Sequence, residues 1–158
     1  MAERILIPLD GSRVGEAALR YVEEVVSRLK PEEKPEITLL YVVSAQTRLL
    51  ATEAGPIEIP YSDKELEHAK ESALDYLNKA AETLKGEGVA VNCKVTAGKP
   101  ADEIVKAERE LDADLVAMST HGRSGISRWA FGSVTDRVLR SGKVPVLMVR
   151  VTESPPKK

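Results

Sequence analysis

Short apolar runs alternate along the chain with longer segments in which apolar residues recur every three or four positions. The runs at 4–9, 37–43, 115–118 and 144–151 predict strands of a parallel sheet, because such strands are buried on both faces. Residues 89–96 alternate apolar with polar instead, which predicts a strand with one wet face at the edge of the sheet.

The segments between these strands carry the 3.6-residue period of amphipathic helices, at 12–29, 63–87, 100–111 and 134–140. Pro8 is expected to stop the first strand from donating to its ladder, since proline has no N–H. Five strands alternating with four helices predict an α/β protein with a mostly parallel sheet. We expect one domain over residues 1–152 and a flexible tail over 153–158.

Residues 44–62 fit neither period and contain Pro56 and Pro60, so we predict a loop there. A loop of this length in a small domain is usually functional or mobile. Two interpretations stay open: a lid or partner surface, and a variable insertion.

Composition narrows the classes of function. The 158 residues are 42% hydrophobic, enough for a core, and the net charge of −2 leaves no basic excess for binding nucleic acid. No apolar run is long enough to span a membrane, and the chain enters its first strand without a signal peptide, so we expect a cytoplasmic protein. A single cysteine, Cys93, excludes an intrachain disulfide, and two widely separated histidines, His68 and His121, do not suggest zinc.

A glycine-bearing stretch joins the strand at 115–118 to the last helix. Gly122, Gly125 and Gly132 let a ligand approach main-chain N–H groups closely. Ser133 is predicted to be the N-cap of that helix, with Asp136 at the spacing of a capping box, and a helix N-terminus attracts anions. These residues favour phosphate, but ordinary capped helices after glycine turns are common, and both interpretations stay open.

The spacing in this stretch resembles that of the ATP-binding universal stress protein family. The family carries Gly, two residues, Gly, nine residues, Gly, then Ser or Thr, and the matching positions here are Ser119, Gly122, Gly132 and Ser133. Ser119 stands where the family has its first glycine. The resemblance also includes the opening segment 5–12 and the closing segment 144–149.

The resemblance implies a doubly wound sheet of strand order 3-2-1-4-5, with ATP bound where the chain reverses direction between strands 1 and 4. Val42 and Met118 would then contact adenine. Asp10 would accept hydrogen bonds from ribose hydroxyls or help to hold Mg²⁺ on the phosphates, unless it is only a turn residue. Arg123 is expected to clamp phosphate, and His121 to contact ribose or phosphate. The complete expected nucleotide site is Pro8, Asp10, Val42, Met118, Ser119, His121, Gly122, Arg123, Gly125, Gly132, Ser133 and Val134.

Three functions follow from this resemblance. The first is an ATP-binding stress or signalling module, the second a nucleotide-free dimeric interaction module, and the third an enzyme. The enzyme is limited to slow ATP hydrolysis or adenylyl transfer, because no placed base or nucleophile is evident. Family members dimerise through their last strand. We expect a homodimer through residues 144–151, whose apolar members are Val144, Val146, Leu147, Met148, Val149 and Val151.

Overall fold

The computed structural model describes residues 3–44, 47–121 and 132–151. Over these residues the chain forms seven strands, four α-helices and one 3₁₀ turn at Pro31–Glu33. In chain order the elements are β1 (Arg4–Leu9), α1 (Glu16–Ser27), β2 (Glu36–Val43), β3 (Thr47–Thr52), β4 (Gly55–Pro60), α2 (Asp63–Gly86), β5 (Ala90–Ala97), α3 (Pro100–Glu110), β6 (Leu115–His121), α4 (Ser133–Ser141) and β7 (Val146–Val151).

Five of the strands form one sheet in the order β5-β2-β1-β6-β7, and each neighbouring pair is parallel. Counted along the sheet-forming strands alone, this is the order 3-2-1-4-5, so the predicted doubly wound α/β fold is confirmed. The predicted edge strand is β5, which lies at one end of the sheet.

Two apolar layers cover the sheet, and alternate residues of β1 point into different layers. Ile5 and Ile7 pack in the layer formed with α1 and α2, whereas Leu6 packs in the layer formed with α3 and α4. This period of two is the pleat of a strand buried on both faces. It explains why β1 is apolar from Ile5 to Leu9.

Residues 44–62 are not a structureless loop, and that prediction was wrong. β3 and β4 form an antiparallel hairpin that pairs with no strand of the main sheet. The sequence hid it because both of its faces carry exposed residues, so no buried face imposes an alternating pattern. Pro56 and Pro60 lie within β4, where proline is tolerated because the strand is an edge.

β1 spans Arg4–Leu9 as predicted, and its pairing with β2 continues past Pro8. Two other boundary predictions were wrong. β6 reaches His121 because it pairs with β7 as far as Val151.

The second error concerns the start of α4. Gly132 is its N-cap and Ser133 is its first helical residue. The predicted capping box is therefore absent, because a serine inside the helix is past the capping position. The Asp136 carboxylate instead accepts a 2.9 Å hydrogen bond from Arg140.

Candidate functional site

A gap opens between two central strands at their carboxyl ends. β1 pairs with β6 only at Ile5 and Leu6, although its pairing with β2 continues to Leu9. Pro8 lies where the gap opens and has no N–H with which to bridge it. Because the chain turns to opposite sides of the sheet from these two strands, this is the position where doubly wound sheets bind ligands.

The gap continues into a crevice of about 330 Å³. Three strands and three helix N-termini meet around it, so both polar backbone groups and apolar side chains line its wall. The lining residues are Pro8, Leu9, Asp10, Gly15, Leu40, Tyr41, Val42, Ser44, Pro100, Ile104, Met118, Ser119, Val134 and Thr135.

Asp10 forms a tight turn at the mouth of this crevice. Its Oδ1 accepts hydrogen bonds from the backbone N–H of Ser12 at 2.9 Å and from the Ser12 hydroxyl at 2.6 Å. Gly11, with φ of 82°, supplies the left-handed conformation that the turn requires. Asp10 is therefore a turn residue and also lines the crevice, so the two roles considered for it are compatible.

Gly15 is required by this turn. A Cβ at residue 15 would lie 2.6 Å from Asp10 Oδ1 and 3.2 Å from Ser12 Oγ. A side chain there would displace the Asp10 carboxylate from its turn. The sequence held a signal for this contact, because a glycine inside a predicted helix costs about 1 kcal/mol and usually has a packing reason.

Ser119 joins β6 to the start of α1. Its hydroxyl accepts a 2.7 Å hydrogen bond from the N–H of Ala18 and donates a 3.0 Å hydrogen bond to the carbonyl of Gly15. The N-cap of α1 is Gly15, which has no side chain to offer. A serine from a distant strand therefore does the work of a capping side chain, and a glycine at position 119 could not.

The N-terminal donors of α1 are already paired. The N–H of Gly15 donates to the Ser12 hydroxyl, and the N–H of Glu16 donates to the Ser12 carbonyl. The N–H of Ala17 donates to the carbonyl of Val14, and the N–H of Ala18 donates to the Ser119 hydroxyl. This helix end has few donors left for an anion, although it lines the crevice.

The N-terminus of α4, unlike that of α1, has N–H groups that are not paired within the described residues. The N–H of Asp136 bonds to the carbonyl of Gly132, and within the described part of the chain the three preceding N–H groups, of Ser133, Val134 and Thr135, have no acceptor. Unpaired first-turn donors and the positive end of the helix dipole attract negative charge. Of these two helices, α4 is the one with donors available to a phosphate.

The wall of the crevice between β2 and β6 is apolar. Met118 is 7% exposed and packs in the core layer of α3 and α4, where the half-buried Val42 also packs. Both residues thus have a structural role and also present surface to the crevice. A flat apolar group between them would contact side chains held rigidly by the core.

The half-buried phenol of Tyr76 lies beside the mouth of the crevice. The Tyr76 hydroxyl donates a 2.9 Å hydrogen bond to Glu16 Oε1, and its ring packs edge-on against Tyr41 with centroids 5.9 Å apart. Burial raises the pKa of Tyr76 well above its ordinary value, and the hydrogen bond to Glu16 and the charges of Glu16 and Asp10 add to this. The phenol is thus a fixed donor that holds α2 to the first turn of α1.

The structure brings much of the expected site together. Pro8, Asp10, Val42, Met118, Ser119 and Val134 line one crevice, and Gly132 and Ser133 are adjacent to Val134 at the start of α4. His121 ends β6. Gly122, Arg123 and Gly125 lie outside the described residues.

The sequence interpretation missed eight of the fourteen lining residues. They reach the crevice through contacts between separate elements, and they are Leu9, Gly15, Leu40, Tyr41, Ser44, Pro100, Ile104 and Thr135. No local pattern marks such contacts, because they arise only when the sheet is assembled. Two of them carried a signal: Pro100 as a predicted helix start at the carboxyl end of a strand, and Gly15 as a glycine inside a predicted helix.

The described ranges contain neither a metal-binding cluster nor a membrane-spanning helix. Within 3–44, 47–121 and 132–151 no group of three or more His, Cys, Asp or Glu side chains could hold a metal ion. No helix in the same ranges is both long and apolar enough to cross a membrane.

Comparison with known proteins identifies the family. Residues 1–150 match the model of the universal stress protein family. The chain is 31% identical over 148 residues to universal stress protein MJ0531 of Methanocaldococcus jannaschii, covering 94% of this chain and 82% of that protein.

Solved structures agree with this assignment. The structure of MJ0577, from the same organism, superposes with a TM-score of 0.70 at 25% identity and covers 96% of this chain and 98% of that one. The universal stress protein of Archaeoglobus fulgidus in complex with dAMP shares the fold, with a TM-score of 0.58 at 20% identity over 92% of this chain and 96% of that one. The chain belongs to the universal stress protein family.

Proposed function

We propose that this protein binds an adenine nucleotide, ATP in particular, in the crevice between β1 and β6 and acts as a nucleotide-dependent stress or signalling module. The observation that carries the proposal is the meeting of unpaired α4 donors with an apolar wall in one crevice of about 330 Å³. A phosphate requires unpaired N–H donors, and a nucleobase requires an apolar wall. The universal stress protein of Archaeoglobus fulgidus has the same fold and is in complex with dAMP, which supports the choice of adenine.

Gly132 provides a test of fit that is independent of the comparisons. Its φ of −52° and ψ of 157° are open to any residue, and no described atom lies within 4 Å of a Cβ built there. The described fold therefore does not require glycine at this position. A ligand that approaches the backbone at the start of α4 would require it.

The remaining groups define an orientation for the nucleotide. The phosphates lie at Gly132, Ser133 and Val134, and adenine lies against Val42 and Met118. Asp10 accepts a ribose hydroxyl through Oδ2, since Oδ1 is engaged by Ser12. Alternatively, Asp10 Oδ2 would help to hold Mg²⁺ on the phosphates instead of accepting from ribose. Gly122, Gly125, Arg123 and His121 complete the proposed site.

Mass spectrometry of the small molecule released by denaturing freshly purified protein tests this proposal. We expect an adenine nucleotide at a stoichiometry close to one per chain, or its uptake by stripped protein from a mixture of nucleotides. Preferential uptake of a guanine or pyrimidine nucleotide would contradict the adenine assignment, and no uptake at all would favour the nucleotide-free interaction module.

We also propose a homodimer through β7. This strand is an edge of the main sheet, and Val146, Leu147, Met148 and Val149 are only half-buried by the two layers. An uncharged apolar edge favours pairing with another strand. A two-fold axis would make that pairing antiparallel and closed.

A further inference from the structure

The hairpin of β3 and β4 carries a concentration of exposed apolar surface. Leu49 is 70% exposed, Ile57 is 47% exposed and Leu50 is 43% exposed. The two strands pack mainly on each other and little on the rest of the protein. A two-stranded hairpin is marginally stable alone in water, and three or more strands are needed for independent stability. Additional strands would therefore stabilise this element.

The two edges of the hairpin differ. Opposite residues alternate between pairs that exchange hydrogen bonds and pairs whose backbone groups point outward. Pro56 pairs with Ala51 and Pro60 pairs with Thr47, and these pairs share one phase of the alternation. Because proline has no N–H to donate to β3, the internal hydrogen bonds run through the other phase, and both prolines face outward.

The outer edge of β4 is therefore blunted. Of its three outward positions, two are proline and the third is Glu58, a charged residue. Proline and charge are the devices by which proteins protect an edge from unwanted pairing.

The outer edge of β3 has neither device. Its outward positions are Thr47, Leu49 and Ala51, all exposed, and each retains both its N–H and its carbonyl. Within the described ranges none of the three forms a backbone hydrogen bond outside the hairpin. One edge of the hairpin is closed to strand addition and the other is open.

We infer that the β3 edge pairs with the β3 edge of a second copy of this chain, forming a four-stranded antiparallel sheet across a two-fold axis. With the axis at Leu49, that residue lies opposite the partner's Leu49, and Thr47 lies opposite the partner's Ala51. Arg48 then lies opposite the partner's Leu50, so the one charged position of β3 does not meet its own copy. This self-complementary register favours a second copy over an unrelated strand.

This interface is separate from the nucleotide crevice and from β7. β7 lies at an edge of the main sheet, whereas β3 belongs to the separate hairpin. If both β3 and β7 pair, and their two-fold axes intersect at right angles, the assembly closes at four chains. If only β3 pairs, it contains two.

Disulfide trapping tests the register directly. In a Cys93→Ala background, Leu49→Cys would place two thiols on directly opposed residues, whose Cα atoms are about 5.5 Å apart, within the range for a disulfide. We expect a covalent dimer under mild oxidation. Glu58→Cys, the matched control at the middle of the blunted edge, should remain uncross-linked. Equal cross-linking of both variants, or none at Leu49→Cys, would overturn the proposal.

Proline substitution tests the edge without adding a cross-link. Leu49→Pro removes one outward N–H from β3 and spares the internal bonds of the hairpin, as Pro56 does in β4. We expect it to halve the molar mass measured by light scattering, from four chains to two or from two to one. Glu58→Pro, at the equivalent position of β4, should leave the mass unchanged. An edge reserved for a strand of another protein would show no change with Leu49→Pro, and the proposal would then be wrong.

Discussion

Ser119 and Ala18 are joined by a 2.7 Å hydrogen bond in which a hydroxyl on β6 caps the third N–H of α1. The same hydroxyl donates to the carbonyl of Gly15, so the strand and the helix are held at two points. The residue that departs from the family's first glycine thus fixes one wall of the crevice. It also leaves α1 with few donors for the proposed phosphate, whereas the start of α4 keeps three.

Replacing Ser119 tests this link. Ser119→Ala leaves the Ala18 N–H without its partner and should lower the free energy of unfolding by about 1 kcal/mol, the usual cost of losing an N-cap. Urea unfolding measures the change. Ser72→Ala removes an exposed serine hydroxyl from α2 and is the matched control, with an expected change near zero. Equal stability of Ser119→Ala and wild type would show that the hydrogen bond contributes nothing.

Glu108 anchors the turn before β7. Its side chain is 2% exposed, and Oε1 accepts hydrogen bonds from the backbone N–H groups of Lys143 at 2.6 Å and Val144 at 3.2 Å. Glu108→Ala should lower the free energy of unfolding by about 2 kcal/mol, because it removes two part-buried hydrogen bonds to a carboxylate, and a hydrogen bond to a charged group contributes about 1.5–3 kcal/mol. Glu108→Gln keeps an acceptor and should lose less. Urea unfolding measures both variants. An equal loss of unfolding free energy in Glu108→Gln and Glu108→Ala would contradict this role.

The raised pKa of Tyr76 predicts that the protein loses stability at alkaline pH. This pKa is raised in the folded state, so the folded protein keeps a proton that the unfolded chain releases above about pH 10. Stability should therefore fall as pH rises through that range, and Tyr76→Phe should fall less steeply. Urea midpoints between pH 8 and 11 measure both slopes. Tyr21→Phe, at a tyrosine that is 46% exposed, is the control and should match wild type.

Lysine substitutions on β7 test the proposed dimer. Val146→Lys combined with Met148→Lys places two positive charges on the edge strand, where pairing of two copies would bring them together. We expect the molar mass by light scattering to halve. A mass unchanged from wild type, with the protein still folded by circular dichroism, would exclude β7 as an interface.

The order of the main sheet was predictable because each of its strands carries a local pattern. Buried runs and amphipathic helices alternate regularly, and the family resemblance supplied the strand order. The hairpin was not predictable from hydrophobic pattern, since Leu49 and Ile57 are exposed and no face of it is buried in the core.

The candidate site was partly predictable for the same reason. Asp10 precedes a glycine at the end of a strand, and Gly132 precedes a helix, so the sequence marks both positions. The link between Ala18 and Ser119 joins residues 101 positions apart, and no local pattern encodes it. The role of Gly15 likewise depends on a contact with Asp10 that only the folded turn creates.

Isothermal titration calorimetry of ATP with Mg²⁺ on wild type, Gly132→Val and Gly86→Val is the most direct test of the nucleotide site. Gly86, like Gly132, has no described atom within 4 Å of a Cβ, but it ends α2 away from the crevice. We predict that wild type and Gly86→Val bind with equal affinity. Gly132→Val should bind at least about tenfold more weakly, a loss of 1.4 kcal/mol or more, with its thermal unfolding unchanged. Equal affinity in all three proteins would contradict the assignment of the phosphate site to the start of α4.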